Sequence, residues 1–321
     1  MQEPILVNDT QEENKRIPLI LFCLCMITRV GFKLVSGFDN FQLFGDSYRY
    51  NNISDRIIAG DTNMDITAYL TAPLYPYTLA LCKWVAGDNW QILAVSFQFI
   101  LVALSVVYIY KLGLLWFGNQ RVAITGALIY IFYPLTLWYN FTLAQETSFQ
   151  AYFVFFLYYI AKSMASGKNV HTILAATFWA MAFLTKSHIT VLIIPIAFIF
   201  LLTKRAKAFL IFAGVAIIWT LPHGIKNWKE HGVYTISSHG NASLFLLGHS
   251  DATYPCLMNK AGELGQFAFA VCNPEIVFDR EYNHPTYGLI NQLSVKERNK
   301  MRKTIAIESV SYTHLTLPTK A

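Results

Sequence analysis

Charge is scarce in this chain. Asp, Glu, Lys and Arg together make up 14% of 321 residues, against roughly a quarter in a soluble domain. Cysteine is also sparse, at five, too few for a disulfide-built scaffold. The net charge of +6 comes from scattered residues. No basic stripe is present, which excludes a nucleic-acid binder. No internal repeat is found, which excludes a solenoid.

Apolar sequence fills the space that charge leaves. The apolar share is 55%, with 24 Phe, 18 Tyr and 7 Trp. Long apolar runs point to an all-α polytopic membrane protein, because each crossing takes about 20 mostly apolar residues. The first run, 17–35, follows Lys15 and Arg16. No small-residue cleavage site follows it, so it reads as an uncleaved helix after a cytoplasmic stretch, 1–16. Residues 36–89 form an outer loop, within which 73–86 is apolar but too short to span, as an interfacial or re-entrant helix would be. Six more runs, 90–117, 122–139, 147–161, 171–185, 189–202 and 208–221, complete seven expected crossings. Residues 222–309 are mixed and aqueous in character and read as an extracytoplasmic segment. Residues 310–321 look like the translation of a sequencing-library transposon end, so they read as a non-native tail on an interrupted chain.

Orientation follows from Lys and Arg in short loops. Arg121, Lys162, Lys168, Lys204, Arg205 and Lys207 fall in three loops free of Asp and Glu. The opposite side receives Asp39, Asp46, Asp55, Asp61, Asp65, Asp88 and Glu146. That face is where polar chemistry is expected. From Asp46 onward, Tyr50, Ile53, Ile57 and Ile58 recur at helical spacing, which predicts a helix lying on the membrane surface. Asp46 at its start has two readings: a cap on free backbone N–H groups, or a general base for an attacking hydroxyl. Arg49 stands one turn along. Glu146 sits in a short turn, either as a first-turn acid favoured by the helix dipole or as a functional group at membrane depth. Lys186, beside Ser187 and His188, is either a snorkelling lysine or a phosphate contact. Lys226, beside Trp228, has the same two readings. His223, His231, His239 and His249 have no compact metal-ligand spacing.

Four segments together resemble the GT-C superfamily of membrane glycosyltransferases. They are GDSYRYNNISDRIIAG with Asp46, APLYPYTLALCKWVAG, AFLTKSHITVLIIPI with Lys186, and LPHGIKNWKEHGVYTISSHGNASLFLLGH with Lys226. They run in family order over about 40–250 and are most similar to bacterial relatives of protein O-mannosyltransferases and of the lipid A aminoarabinose transferase. Two positions depart from the family pattern. Lys226 stands where Arg is usual, which exchanges a bidentate grip for a point charge, and Ser187 stands where Pro is usual. The resemblance implies a GT-C helix bundle in the cell inner (plasma) membrane with its active site on the extracytoplasmic face. It implies inverting transfer of a sugar from a polyprenyl-phosphate carrier to a glycan, lipid or protein acceptor. Asp46 would be the base and Glu146 its assistant, with Lys186 and Lys226, aided by Arg49 and His188, at the phosphate. Some members of the superfamily use a divalent metal and some do not, so a metal stays open, with Glu146 able to assist the base, orient the acceptor or help bind it. The alternative is a transporter or lipid-linked sugar flippase, which would place broken spans in matched halves. Cys256 and Cys272, alone in the aqueous segment, are expected to pair, whereas Cys23, Cys25 and Cys82 read as small packing residues.

Overall fold

A computed structural model describes residues 16–36, 46–61 and 71–231, with Tyr234 and Glu297. Among the described residues the secondary structure is helical throughout. The chain divides into two compact units, 1–224 and 225–321, and the packing below is that of the first.

Helix α1 is Arg16–Ser36 and α2 is Asp46–Ile58. Helix α3 (Leu74–Ala86) leads through a 3-10 turn, Gly87–Asn89, into α4 (Trp90–Phe117). Residues 74–117 form one long apolar stretch, but it folds back on itself. Tyr75 Oη lies 2.8 Å from Gln98 Oε1, whereas 23 residues of straight helix would separate them by about 35 Å. The reversal occurs at Gly87, whose φ of +51° suits a residue without Cβ. The 13 residues of α3 cover only about 20 Å, short of a bilayer core. This agrees with the interfacial or re-entrant helix expected there.

Helix α5 (Gln120–Phe132) starts at Asn119, whose side chain accepts from the N–H groups of Arg121 and Val122. The run 122–139 is not one helix. It breaks at Tyr133, which is extended (φ −66°, ψ 117°) because the ring of Pro134 disfavours helix in the residue before it. Helix α6 (Pro134–Phe141) leaves at 51° to α5. Helices α7 (Gln145–Ser166) and α8 (Asn169–Thr185) follow. The run 189–202 begins as a 3-10 turn, Ser187–Leu192, and becomes α9 only at Ile193–Leu202. Helix α10 (Ala206–His231) carries Pro222 inside it and continues past the end of the apolar run at Leu221.

Helix α4 is the hub, contributing to all three cores. One core joins it to α1 and α5 through Cys25, Val106, Ala123 and Ile131. Another joins it to α2 and α3 through Tyr50, Leu79 and Val95. The third centres on α7 and α8, with Phe156, Trp179 and Phe212. Outside these cores the surface is strongly apolar: Val35, Trp84, Ile194 and Ile218 are each at least 70% exposed. Such an exterior suits lipid. Among the described residues, 16–35, 74–117 and 206–230 are able to cross a membrane by length and hydropathy, and α5 with α6 makes a fourth if the bent pair counts as one span. Of the seven expected crossings, the remaining helices are shorter or more polar. Helix α7 has 22 residues but carries Glu146, Lys162 and two glutamines, and α8 and α9 are short. Cys25 and Cys82 are buried, as packing residues are; Cys23 is exposed. Cys256 and Cys272 lie outside the described residues.

The stripe on α2 also differs from the expected one. Ser47, Tyr50, Ile53 and Ser54 are buried, while Ile58 is 48% exposed. The helix turns by a register that puts two serines, rather than Ile58, against α3. Lys83 of α3 secures the join, bonding Asp55 Oδ1 at 2.5 Å and the Asn51 carbonyl at 3.2 Å.

Helices α4 and α5 cross closely at Gly113. A Cβ built there would lie 3.0 Å from Ala123 Cα, a backbone atom that side-chain motion cannot clear. In lipid, small residues at crossings supply the close packing that holds helices together. Gly113→Ala should therefore lower the thermal midpoint in detergent, at a cost of about 1–3 kcal/mol for overpacking. Gly126→Ala, with nothing within 4 Å, should raise it by up to about 1 kcal/mol through helix propensity. Equal shifts in the two variants would contradict this crossing.

Candidate active site

Three helix ends of the first unit carry the residues expected at the site. The first is the start of α2. Asp46 there pairs with Arg49 Nη2 at 3.1 Å, and both side chains are well exposed. The guanidinium also lies 5.8 Å from the ring centre of Tyr50. Tyr50 is buried and meets Tyr75 edge-on, with centroids 5.3 Å apart.

The second end is the start of α7 and the third is the end of α8. Glu146 occupies the first turn of α7, where the helix dipole favours an acid. Lys186 follows the last residue of α8 in an extended conformation, and its backbone N–H still bonds the Ala182 carbonyl at 2.7 Å. Lys186 Nζ donates to Glu146 Oε1 at 2.8 Å, with both side chains about 30% exposed. The dipole and ion-pair roles of Glu146 thus coincide. A half-buried pair of this kind is screened less by salt than one in open water.

Electrostatics link Asp46 to this pair. The Tyr50 phenol is pushed well above the ordinary tyrosine range, first by burial and then by the carboxylates of Asp46 and Glu146, with Arg49 opposing. One buried phenol therefore feels both acids. Three buried polar atoms nearby in sequence, Ser47 Oγ, Gln145 Oε1 and Ser148 Oγ, have no hydrogen-bond partner among the described residues.

Of the residues expected at the site, Asp46 pairs with Arg49 and Glu146 pairs with Lys186. His188 is exposed on the 3-10 turn beyond Lys186. Lys226 stands on α10 in the second unit, and its place at the site remains an expectation from the sequence. Among the described residues no three His, Cys, Asp or Glu side chains cluster as metal ligands. Asp46 and Glu146 are each paired with a cation.

A polar network behind the site is legible only in hindsight. Tyr75 donates to Gln98, whose Nε2 donates to the carbonyls of Asn140 (3.0 Å) and Thr142 (3.1 Å). Asn140 Oδ1 accepts from Arg29 Nε at 3.1 Å. Arg29, Gln98 and Asn140 are all buried in apolar helices. Their signal in the sequence is their chemistry at membrane depth.

Lys186→Met leaves the half-buried Glu146 uncompensated and should lower the thermal midpoint. Adding Glu146→Gln should recover part of the loss. A double-mutant cycle should give a coupling of about 1 kcal/mol after allowance for solvent screening. A coupling near zero would mean that the pair does not form in the membrane-embedded protein.

Comparison with known proteins bears on the segment holding most of these residues. No curated protein and no solved structure matches the chain. Residues 71–225 match the family model of dolichyl-phosphate-mannose-protein mannosyltransferase. The match covers just under half of the chain and includes Gln98, Glu146 and Lys186, while Asp46 precedes it. Over α3 to α9 and most of α10, the chain is thus similar to the sugar transferases of that family, on a framework of membrane helices.

Proposed function

We propose that this protein is a GT-C-type membrane glycosyltransferase that moves a sugar, with inversion, from a polyprenyl-phosphate carrier to an acceptor hydroxyl on the outer face of the inner membrane. The observation that carries the proposal is the Glu146–Lys186 ion pair at the junction of α7 and α8, within a segment similar to dolichyl-phosphate-mannose-protein mannosyltransferase. A scaffold protein has no need of an acid and a lysine at that junction.

The chemistry assigns each group a task. The acceptor oxygen attacks the sugar's anomeric carbon from the face opposite the phosphate. The bond from that carbon to the phosphate oxygen breaks, and its electron pair leaves with the lipid phosphate. The acceptor proton passes to Asp46. Its partner Arg49 does not block this role, because an ion pair so exposed is worth little and opens readily. Lys186 has three N–H donors, so it holds Glu146 and also meets the departing phosphate, with Lys226 as a second cation. Arg49 and His188 flank these two groups. Glu146, fixed by Lys186, orients the acceptor beside the base.

Membranes carrying the complete protein, supplied with polyprenyl-phosphate mannose, test this directly. Asp46→Asn should reduce sugar transfer by about 10²–10⁴, the usual worth of a general base, with expression and insertion unchanged. Transfer at the native rate by Asp46→Asn would overturn the assignment.

A further inference from the structure

Arg29 presents a physical problem. It lies in the apolar helix α1 and is fully buried, while Ile27 and Val30 on other sides of the helix are exposed. Among the described residues no carboxylate pairs with it. A guanidinium in that setting costs several kcal/mol, and packing alone would favour Leu or Met. Its surroundings show what it does instead. Nη1 donates to the Ile131 carbonyl at 2.7 Å and to Thr28 Oγ1 at 3.0 Å; Nε donates to Asn140 Oδ1 at 3.1 Å.

Two of these bonds, to Ile131 and Asn140, fall at the ends of helices. Ile131 stands in the last turn of α5, where Pro134 and the extended Tyr133 leave carbonyls without helical donors. Asn140 stands in the last turn of α6. From Asn140 the bonding continues toward Glu146. Asn140 Nδ2 reaches Thr147 Oγ1 at a long 3.4 Å, and Thr147 Oγ1 donates to the Tyr139 carbonyl at 3.0 Å. Thr147 is the next residue after Glu146. On the other flank, Gln98 grips the carbonyls of Asn140 and Thr142. The turn that launches α7 is therefore held from α1 by Arg29 and from α4 by Gln98.

We propose that Arg29 is a positioning residue: through Asn140 it sets the turn that places Glu146 opposite Lys186. The planar guanidinium suits this task because it reaches a carbonyl and a side-chain amide in fixed directions, which a lysine ammonium does not. The significance for sugar transfer rests on the reading proposed above, but the structural claim is separable from it.

The test needs no substrate. The full-length protein in membranes is treated with an amine-reactive reagent, and labelling of individual lysines is read by mass spectrometry. Glu146→Gln, which removes the partner of Lys186, should raise Lys186 labelling several-fold and defines the unpaired level. Arg29→Met should raise it toward that level, and Arg29→Lys should restore it only in part. Lys83, paired with Asp55 on α2, and Lys162, at the far end of α7, should not change. Asn140→Leu should act as Arg29→Met does, and the double variant should add nothing further, as expected for one connected network. If Arg29→Met fails to insert, Asn140→Leu carries the same test with the arginine kept. Native-level labelling of Lys186 in these variants would overturn the proposal. So would an equal rise at Lys83 and Lys162, since that would make Arg29 only a part of the core. No response to Glu146→Gln would remove the pair and the proposal with it. Native-rate transfer by Asp46→Asn would instead remove the enzymatic reading and leave the labelling result standing.

Discussion

Lipid cannot hydrogen-bond a carbonyl, and the architecture around the candidate site depends on that constraint. A continuous helix satisfies its own backbone; a broken one leaves polar groups that protein must cover. This chain breaks its helices repeatedly on the way to the candidate site: at Tyr133 between α5 and α6, at 142–144 before α7, and at Lys186 after α8. Each break demands a donor for stranded carbonyls. Arg29 and Gln98 supply donors to Ile131, Asn140 and Thr142, which explains why buried polar residues gather behind the candidate site.

The same logic accounts for the ion pair at the site. Helices α7 and α8 pack closely along their lengths, and the start of one meets the end of the other. The start is electropositive and the end electronegative, so Glu146 and Lys186 each satisfy the local dipole as well as each other. Their positions at helix ends keep them about 30% exposed, far enough from full burial to avoid the heaviest desolvation cost. Asp46 is more exposed still, with a pair to Arg49 that opens easily. The two acids thus differ in setting: one is held by an ion pair at a helix junction, and the other is loosely tethered at a surface helix. This difference is the basis for giving them different tasks in sugar transfer.

Much of this was legible in the sequence. Apolar runs at 17–35, 90–117, 147–161, 171–185 and 208–221 all fall on helices, because apolar composition of that length in lipid leaves the backbone no other way to satisfy itself. The start of α2 at Asp46 followed from the spacing of Tyr50 and Ile53. The run 122–139 was misleading, because hydropathy treats Pro134 as apolar and overlooks what its ring does to Tyr133. The stripe on α2 was one turn too long for a similar reason: hydropathy prefers Ile58 to Ser54, but a close-packed face prefers the smaller residue. Asp46, Glu146 and Lys186 drew notice as charges at the edges of apolar segments, and Arg29, deep within one, did not.

The sequence by itself determined the helical class. It follows from composition and short-range spacing, which are properties of neighbours along the chain. Only the tertiary structure decided that α3 folds back along α4, that Glu146 and Lys186 form a pair across 40 residues, and that Arg29 reaches Asn140 across 111. Those contacts depend on how helices cross and where they break, and the close approach at Gly113 and the bend at Tyr133 set that geometry. A contact between residues far apart in the chain leaves no periodic trace in it, so packing alone brings Glu146 and Lys186 to one place.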